Sequence, residues 1–418
     1  MTKKPNILLI MADQLAPQFL PCFGHPIVKA PAIQRLSENG VTFDAAYTNS
    51  PLCAPSRFVM MSGRLPSQIA AWDNAVDFSA EVPTFAHYLE HLGYRTCLSG
   101  KMHFVGPDQL HGFKDRLTTD VYPSDFTWHP EWDRPNERLD WFHNMEVVKK
   151  AGPCVRSMYL DYDDEAAFHA KRYLFERARE GNDQPFMLTV SFIQPHDPYL
   201  CRQAEWDLYK DVEIDLPNLR PGEIEDAQCE RLRYGYGATD VDLDDETIRR
   251  ARRAYYGSIS DVDGKVAALT EALHESGLSE NTVVIFTSDH GDMLGERGMW
   301  FKMSFLDHSA RKGVYSRTDG MKLVDLKSDP LETTNLAAQT HFSNDASALQ
   351  SEIESRYDIA ALTERVLESQ RRRAFLKTVM RQQGVAWDHH PASAAEKSYV
   401  RNSMPIYELE KRARFPTT

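Results

Sequence analysis

Three apolar, β-prone runs constrain this chain more than any other feature. They are Asn6 to Ala12 (NILLIMA), Pro185 to Phe192 (PFMLTVSF) and Thr282 to Ser288 (TVVIFTS). Each is nearly continuous rather than alternating, the pattern of a strand covered on both faces. Helical stretches fall between them. Pro31 to Asn39 opens on proline and closes at Gly40, and Pro83 to Leu92 closes at Gly93. A longer amphipathic stretch runs from about Asp245 to Ser276, with acids first and Gly277 at its stop. Strands separated by helices predict βαβ units. The expected fold class is therefore α/β, with a mostly parallel central sheet flanked by helices.

The residues just after each strand are equally informative. Asp13 comes after the first, Gln194-Pro195-His196-Asp197 after the second, and Asp289-His290-Gly291-Asp292 after the third. Open α/β sheets bind ligands at the carboxyl ends of their strands. Three strands thus deliver carboxylates and imidazoles to one edge, which predicts a site there.

The rest of the chain sets limits. A formal net charge of −13, from 61 acidic and 48 basic residues, argues against general nucleic-acid binding, which needs a basic footprint. No apolar run approaches the roughly 18 residues of a bilayer helix, so no membrane span is expected. The run after Lys3 and Lys4 is too short for a signal-peptide core, and the reading is cytoplasmic. Six dispersed cysteines without a CxxC pair predict neither a zinc knuckle nor a redox pair. Residues from about 210 to 246 read as an irregular excursion. The expected division is a catalytic α/β domain over 1–311, a smaller C-terminal α+β subdomain over 312–385 that is helix-rich in its middle, and an extended tail over 386–418.

The chemistry is carried by Cys53-Ala54-Pro55-Ser56-Arg57. This matches the C-x-P-x-R signature in which sulfatases oxidise the cysteine to formylglycine. The start NILLIMAD and the segments Gly63-Arg64-Leu65-Pro66-Ser67, Ser99-Gly100-Lys101-Met102-His103 and Ser288-Asp289-His290-Gly291-Asp292 occur in that family's order. The chain resembles the type I sulfatases of the alkaline-phosphatase superfamily. It is most similar to choline-sulfatases, through Lys101 to Phe113 (KMHFVGPDQLHGF), Gly295 to Met303 (GERGMWFKM) and Trp387-Asp388-His389.

The resemblance implies a mechanism. Formylglycine adds water to give a geminal diol; one hydroxyl attacks sulfur, and the other later expels sulfate. This splits one hard step into two. A divalent cation that favours oxygen ligands eases ionisation of the diol. The positions matching the family's metal ligands are Asp13, Asp289, His290 and converted Cys53. Calcium is the first expectation, with magnesium and manganese as alternatives. Arg57, Lys101 and Lys302 match the cations around the sulfate and the nucleophile. His103 would accept a proton from the covalent intermediate, and His196 with Lys302 would protonate the leaving alcohol. Gln14 departs from the second aspartate common in sulfatases, and His290 stands where many have asparagine. Each residue also has an ordinary reading: Asp13 as a helix cap, Lys101 and Lys302 as solvated surface, Cys53 as an inert core thiol.

For the alcohol side, the resemblance implies choline, whose quaternary ammonium is recognised by aromatic faces. Trp128 and His143 match choline-contacting positions in an aromatic segment that also holds Trp141, and Asn144 is a further candidate. In the family the tail reaches a neighbouring subunit and supplies an acid near the choline. Tyr407 stands at that position, beside Glu408. The implied partners are choline O-sulfate, a formylglycine-generating enzyme, and further copies of the chain in a dimer or tetramer.

One departure is large. After Arg311 the family continues with another core strand and an αβ stretch. Here Lys312-Gly313-Val314-Tyr315 leads almost directly to Met321 to Leu326, which looks like a late family segment. Loss of that block predicts an exposed sheet edge. Two other functions stay open on sequence alone. One is a phosphonate monoester or phosphodiester hydrolase with the same nucleophile. The other is a non-catalytic paralogue, supported by the missing block.

Overall fold

The structure is a computed structural model of the chain. It describes residues 4–130, 133–134, 137–138, 143–223, 227–306, 309, 314–316, 320–384 and 387–392. The strands are β1 (Asn6–Ala12), β2 (Arg95–Gly100), β3 (Asp115–Arg116), β4 (Gly152–Cys154), β5 (Phe186–Phe192), β6 (Leu200–Arg202), β7 (Thr282–Ser288), β8 (Val314–Ser316) and β9 (Gly320–Lys322). The helices of the first half are α1 (Pro31–Glu38), α2 (Cys53–Ser62), α3 (Pro66–Ile69), α4 (Phe85–His91), α5 (Met145–Lys149) and α6 (Met158–Glu180). Those of the second are α7 (Gln203–Asp207), α8 (Ala227–Gly235), α9 (Asp245–Glu275), α10 (Ser343–Arg356) and α11 (Ile359–Gln383).

The main sheet has five strands in the order β3-β2-β5-β1-β7, and every pairing in it is parallel. This is the α/β architecture expected from the three apolar runs, with helices over the sheet. The ends are level: Ala12 is in register with both Phe192 and Ser288, and Gly100 with Ser191. The segments leaving β1, β2, β5 and β7 therefore emerge at one edge. Gly100 is required there. Its φ is +103°, and a Cβ would sit 2.1 Å from the Ser191 carbonyl oxygen.

The long helices are bounded by their caps. Ser157 accepts from the Leu160 amide to start α6, and Asp244 from the Thr247 amide to start α9. Helix α9 packs against α1, α6 and β6. Its buried Tyr255, Ile259, Val262 and Val266 share one core with Leu8 and Ile10 of β1 and Leu188 and Val190 of β5.

The structure corrects three expectations. Residues 210–246 are not wholly irregular, because α8 lies within them. Strand β2 and helix α6 add to the elements expected from the apolar runs. Strand β7 is not covered on both faces: Val283 and Ile285 are 48% and 43% exposed.

Beyond the sheet, β8 and β9 form an antiparallel hairpin, and α10 and α11 form a helical unit. Helix α11 is tied to the sheet-bearing part by a buried bidentate pair, Arg373 to Asp73 at 2.6 and 2.7 Å. Trp387 stands edge-on to Phe126 at 5.4 Å, and Asp388 accepts from Ser124 at 3.2 Å. The segment Trp387 to His389 thus braces the turn that carries Trp128.

Candidate active site

Four strand ends and one helix start build the site. Asp13 follows β1, Lys101 follows β2, His196 and Asp197 follow β5, and Asp289 and His290 follow β7. Cys53 is the first residue of α2, whose unpaired amides and dipole favour negative charge. Asp13, Cys53, Asp289 and His290 each place a donor atom within 4.8 Å of the others, and all four are buried. The Cys53 sulfur lies 3.3 Å from His290 Nε2 and 3.7 Å from Asp13 Oδ1.

Arg57, one turn into α2, organises the two carboxylates. Its Nη2 donates to Asp13 Oδ2 and its Nε to Asp289 Oδ2, both at 2.9 Å, with both ion pairs fully buried. Nη1 is held by the Lys101 carbonyl and Ser191 Oγ at 2.6 and 2.8 Å. Lys101 also pairs with Asp13 Oδ2, and its ammonium stands 4.2 Å above the Tyr122 ring. Burial opposes ionisation of Asp13, but Lys101 and Arg57 hold its carboxyl well below the usual range. Burial likewise opposes the Cys53 thiolate, and Lys101, Lys302 and His290 nevertheless pull the thiol well below its ordinary value.

The second half of the site surrounds His196. Lys302 Nζ lies 2.5 Å from His196 Nε2 and donates to Gln14 Oε1 at 2.7 Å. The Tyr122 hydroxyl is 3.3 Å from the same Nε2. Asp197 Oδ2 is 3.0 Å from His143 Nδ1. Burial pushes His143 down to about 4, reinforced by Lys302, so its ring is neutral at pH 7. Burial works against the Lys302 charge, but Cys53, Asp13 and Asp197 raise its value. His103 is buried and its proton affinity lowered, chiefly by burial. Among the described residues neither of its ring nitrogens meets a partner in hydrogen-bond geometry, although it faces Cys53 closely enough to perturb it.

Backbone strain gathers here. Gln14, His103, Phe301 and Met303 all have left-handed φ, between 59° and 77°. One follows Asp13, one is a site histidine, and two bracket Lys302. Such strain persists where the surroundings over-determine it.

Trp128 is half-buried beside the site. It packs on Tyr122 at 4.5 Å and stands edge-on to His103 at 6.0 Å. His143 packs on Phe301 at 4.8 Å. Asn144 caps α5, accepting from the Glu146 amide at 3.0 Å. Trp141, Tyr407 and Glu408 lie outside the described residues.

Sequence reasoning brought together Asp13, Cys53, Arg57, Lys101, His103, His196, Asp289, His290 and Lys302, and the fold joins them. It missed the supports. Asp120 accepts from the backbone amides of Met102 and His103 at 3.1 and 2.9 Å. Gln109 donates to the carbonyls of Phe104 and Gly106. Asp292 accepts from Gln14 at 2.5 Å and from the Tyr199 hydroxyl at 2.9 Å, and burial pushes it up to about 6. Asp197 and Asp292 were visible in the clusters after β5 and β7, but nothing in the sequence separated them from turn residues.

The two carboxylates, the imidazole and residue 53 suit a divalent cation. Arg57 and Lys101 hold Asp13 Oδ2 and leave Asp13 Oδ1 facing Cys53 and His290, while Asp289 Oδ2 lies between Arg57 and His290.

Comparison with known proteins agrees with this geometry. The sulfatase family model matches residues 5–331, and the model of the choline sulfatase enzyme C terminal matches residues 364–415. A choline-sulfatase of Rhizobium meliloti (strain 1021) is 37% identical over 507 aligned positions, covering 99% of each chain. An arylsulfatase of Clostridium perfringens is 29% identical over 72% of this chain and 65% of its own. Among solved structures, the phosphonate monoester hydrolase of Agrobacterium radiobacter matches with a TM-score of 0.63 at 19% identity, covering 87% of this chain and 96% of its own. A 2-O GAG sulfatase matches with a TM-score of 0.60 at 18% identity, covering 86% and 93%. The structural likenesses speak to the fold alone. The family models and the full-length identity go further: this chain belongs to the sulfatase family and is a sulfuric ester hydrolase.

Proposed function

We propose that this chain hydrolyses choline O-sulfate to choline and inorganic sulfate. One observation carries the reading. Cys53 stands at a helix start among two carboxylates, an imidazole and the cations Arg57, Lys101 and Lys302. The full-length similarity to a choline-sulfatase supports the choice of alcohol.

Cys53 is read as a site of oxidation to formylglycine by a formylglycine-generating enzyme. Once hydrated it would supply an oxygen nucleophile, and Asp13, Asp289, His290 and residue 53 would hold a divalent cation, calcium first, whose charge would favour the ionised form. The other roles belong to the chain's own groups. Arg57 orients Asp13 and Asp289. Lys101 and Lys302 face the sulfuryl oxygens. Neutral His103 accepts a proton. The pair Lys302–His196 holds the proton for the leaving alcohol. Trp128 offers a face to the quaternary ammonium, and His143, being neutral, does not repel it. The protein is read as a cytoplasmic dimer or tetramer. Its catalytic domain spans 1–311 and its subdomain 312–385, and the tail 386–418 brings Tyr407 to a neighbour's pocket.

The test is sulfate release from choline O-sulfate by protein co-produced with a formylglycine-generating enzyme, with Cys53→Ala as control. Release is expected, and it is expected to vanish in the variant. Unchanged release by Cys53→Ala, or turnover of phosphonate monoesters alone, overturns the reading. Trp128→Ala is expected to raise KM for choline O-sulfate far more than for an uncharged aryl sulfate. Equal rises would remove the cage.

A further inference from the structure

Four buried side chains close a ring of polar contacts, three of them hydrogen bonds and the fourth the approach of His196 to the Asp197 carboxylate. His196 Nδ1 lies 3.2 Å from Asp197 Oδ1, and that oxygen accepts from Gln14 Nε2 at 3.3 Å. Gln14 Oε1 accepts from Lys302 Nζ at 2.7 Å, and Lys302 Nζ returns to His196 Nε2 at 2.5 Å. Exposure of the four ranges from 0% to 3%, so water does not mediate the circuit. The other Asp197 oxygen holds His143 Nδ1, on the side where the alcohol is expected.

Donor and acceptor chemistry assigns the protons. A carboxylate only accepts, so His143 Nδ1, bonded to Asp197 Oδ2, carries hydrogen. The Asp197 backbone carbonyl, 2.6 Å from His196 Nδ1, also only accepts and places hydrogen on that nitrogen. His196 Nε2 is then a bare acceptor. It faces the Lys302 ammonium, which has only protons to give. The transferable proton therefore sits on Lys302 and is aimed by His196.

We infer that Asp197 is the positioning residue for leaving-group protonation: its carboxylate, shared by His196, Gln14 and His143, fixes the Lys302 proton donor against the departing alcohol. The inference rests on the sulfatase reading above. In the step it serves, a hydroxyl oxygen of converted residue 53 bonds to sulfur while the S–O bond to the alcohol breaks, and the electron pair of the broken bond stays on the alcohol oxygen. That oxygen takes the proton from Lys302 Nζ, and the resulting amine regains a proton from water. Gln14 acquires a purpose here. It has no charge to add to the cation site, but its amide is the one group in the ring that both accepts from Lys302 and donates to Asp197 and Asp292.

An ester with a poor leaving group separates this role from a structural one. Choline departs as an alkoxide and needs the proton; nitrophenolate does not. Asp197→Asn keeps the shape but turns one acceptor into a donor, which breaks the ring or its link to His143. On choline O-sulfate its kcat is expected to fall by about 10²- to 10³-fold, with KM changed far less, and on nitrophenyl sulfate by less than about tenfold. Gln14→Met, which leaves Asp197 in place, is expected to give the same split in smaller measure. It decides the matter if Asp197→Asn does not fold. Equal losses on the two esters, or none, overturn the inference. If His196→Ala shows the split while the other two variants do not, the sulfatase reading stands and the role of Asp197 falls. Absence of sulfate release by the unaltered protein overturns both.

Discussion

Strands β5 and β7 flank β1 on opposite sides, pair with it in parallel and end level with it. Their sequences are similarly apolar, FMLTVSF and TVVIFTS. All seven residues of β5 are buried, whereas β7 leaves Val283 and Ile285 open and packs only Val284 and Phe286 against the main core. The residues just beyond the two strands do not share this difference. Asp289 and His290 are 3% and 4% exposed, close to His196 at 3%. The enclosure beyond β7 comes from the returning chain: Gly291 N donates to the Ser309 carbonyl, Met293 N to that of Phe301, and Gly295 N to that of Met299. A strand's cover and a site's cover are thus separate matters. Substitutions should separate them too.

The largest effect is expected at the centre of the site. Arg57→Gln leaves Asp13 and Asp289 buried without their shared guanidinium. Breaking a buried pair from one side costs about 3–5 kcal/mol, and denaturant unfolding should show a loss of that order. Next come paired truncations that set the two strands against each other. Leu188→Ala in β5 removes a wholly buried side chain and should cost about 2–5 kcal/mol. Ile285→Ala in β7 should cost less than about 1 kcal/mol, because much of that side chain already meets water. Equal losses would mean that β7 is covered in solution and would end the comparison.

A separate effect depends on pH. Asp163 of α6 accepts from the amides of Ile193 and Gln194 at 2.7 and 3.0 Å and so fixes the turn after β5. Burial pushes its carboxyl up to about 8, against the pull of Lys265 and those amides. The unfolded value is about 3.9. Between these limits the folded chain holds a proton that the unfolded chain releases. This contribution is full below about pH 4 and is lost as pH rises towards about 8. Unfolding free energies of the unaltered protein and Asp163→Asn, measured across that window, should therefore diverge with rising pH, the unaltered protein losing ground. A constant difference would mean that Asp163 is ionised throughout.

Legibility followed chemistry. Strands β1 and β7 could be read to the residue because each is a polar-bounded apolar run. Strand β2, RTCLSG, carried no such run. It is a strand because its polar groups are satisfied inside the fold, Ser99 Oγ by the Ala166 carbonyl and Arg95 by Asp115. Helix α6 hid its buried stripe by mixing Leu160, Ala166, Ala170 and Leu174 with tyrosines and the charged Asp163 and Arg177. Site residues inside motifs were legible because Cys53 and Arg57 share one short run and Asp13, Lys101, His196, Asp289 and His290 each follow a strand closely. The ring of Gln14, Asp197, His196 and Lys302 was not. Gln14 and Lys302 are 288 positions apart, and only sheet closure brings them together.

The open face of β7 gives the smallest expected change in stability. The alignment with the Rhizobium choline-sulfatase runs over 507 positions and this chain has 418 residues, so gaps must fall within it. The sequence reading puts a missing block after Arg311, soon after β7. Among the described residues β7 is the outermost strand on its side of the sheet, and an apolar outer strand is a template for pairing. Ile285→Lys places a charge on that face. Folding free energy should change by no more than about 0.5 kcal/mol, as for an exposed position. Turnover should not change, because Ile285 is exposed and lies inside β7, before the strand end that carries Asp289. Light scattering at rising concentration should show less self-association than in the unaltered chain. A loss of more than about 2 kcal/mol would be the signature of a buried site; β7 would then be covered as β5 is, and the missing block would have left no exposed face.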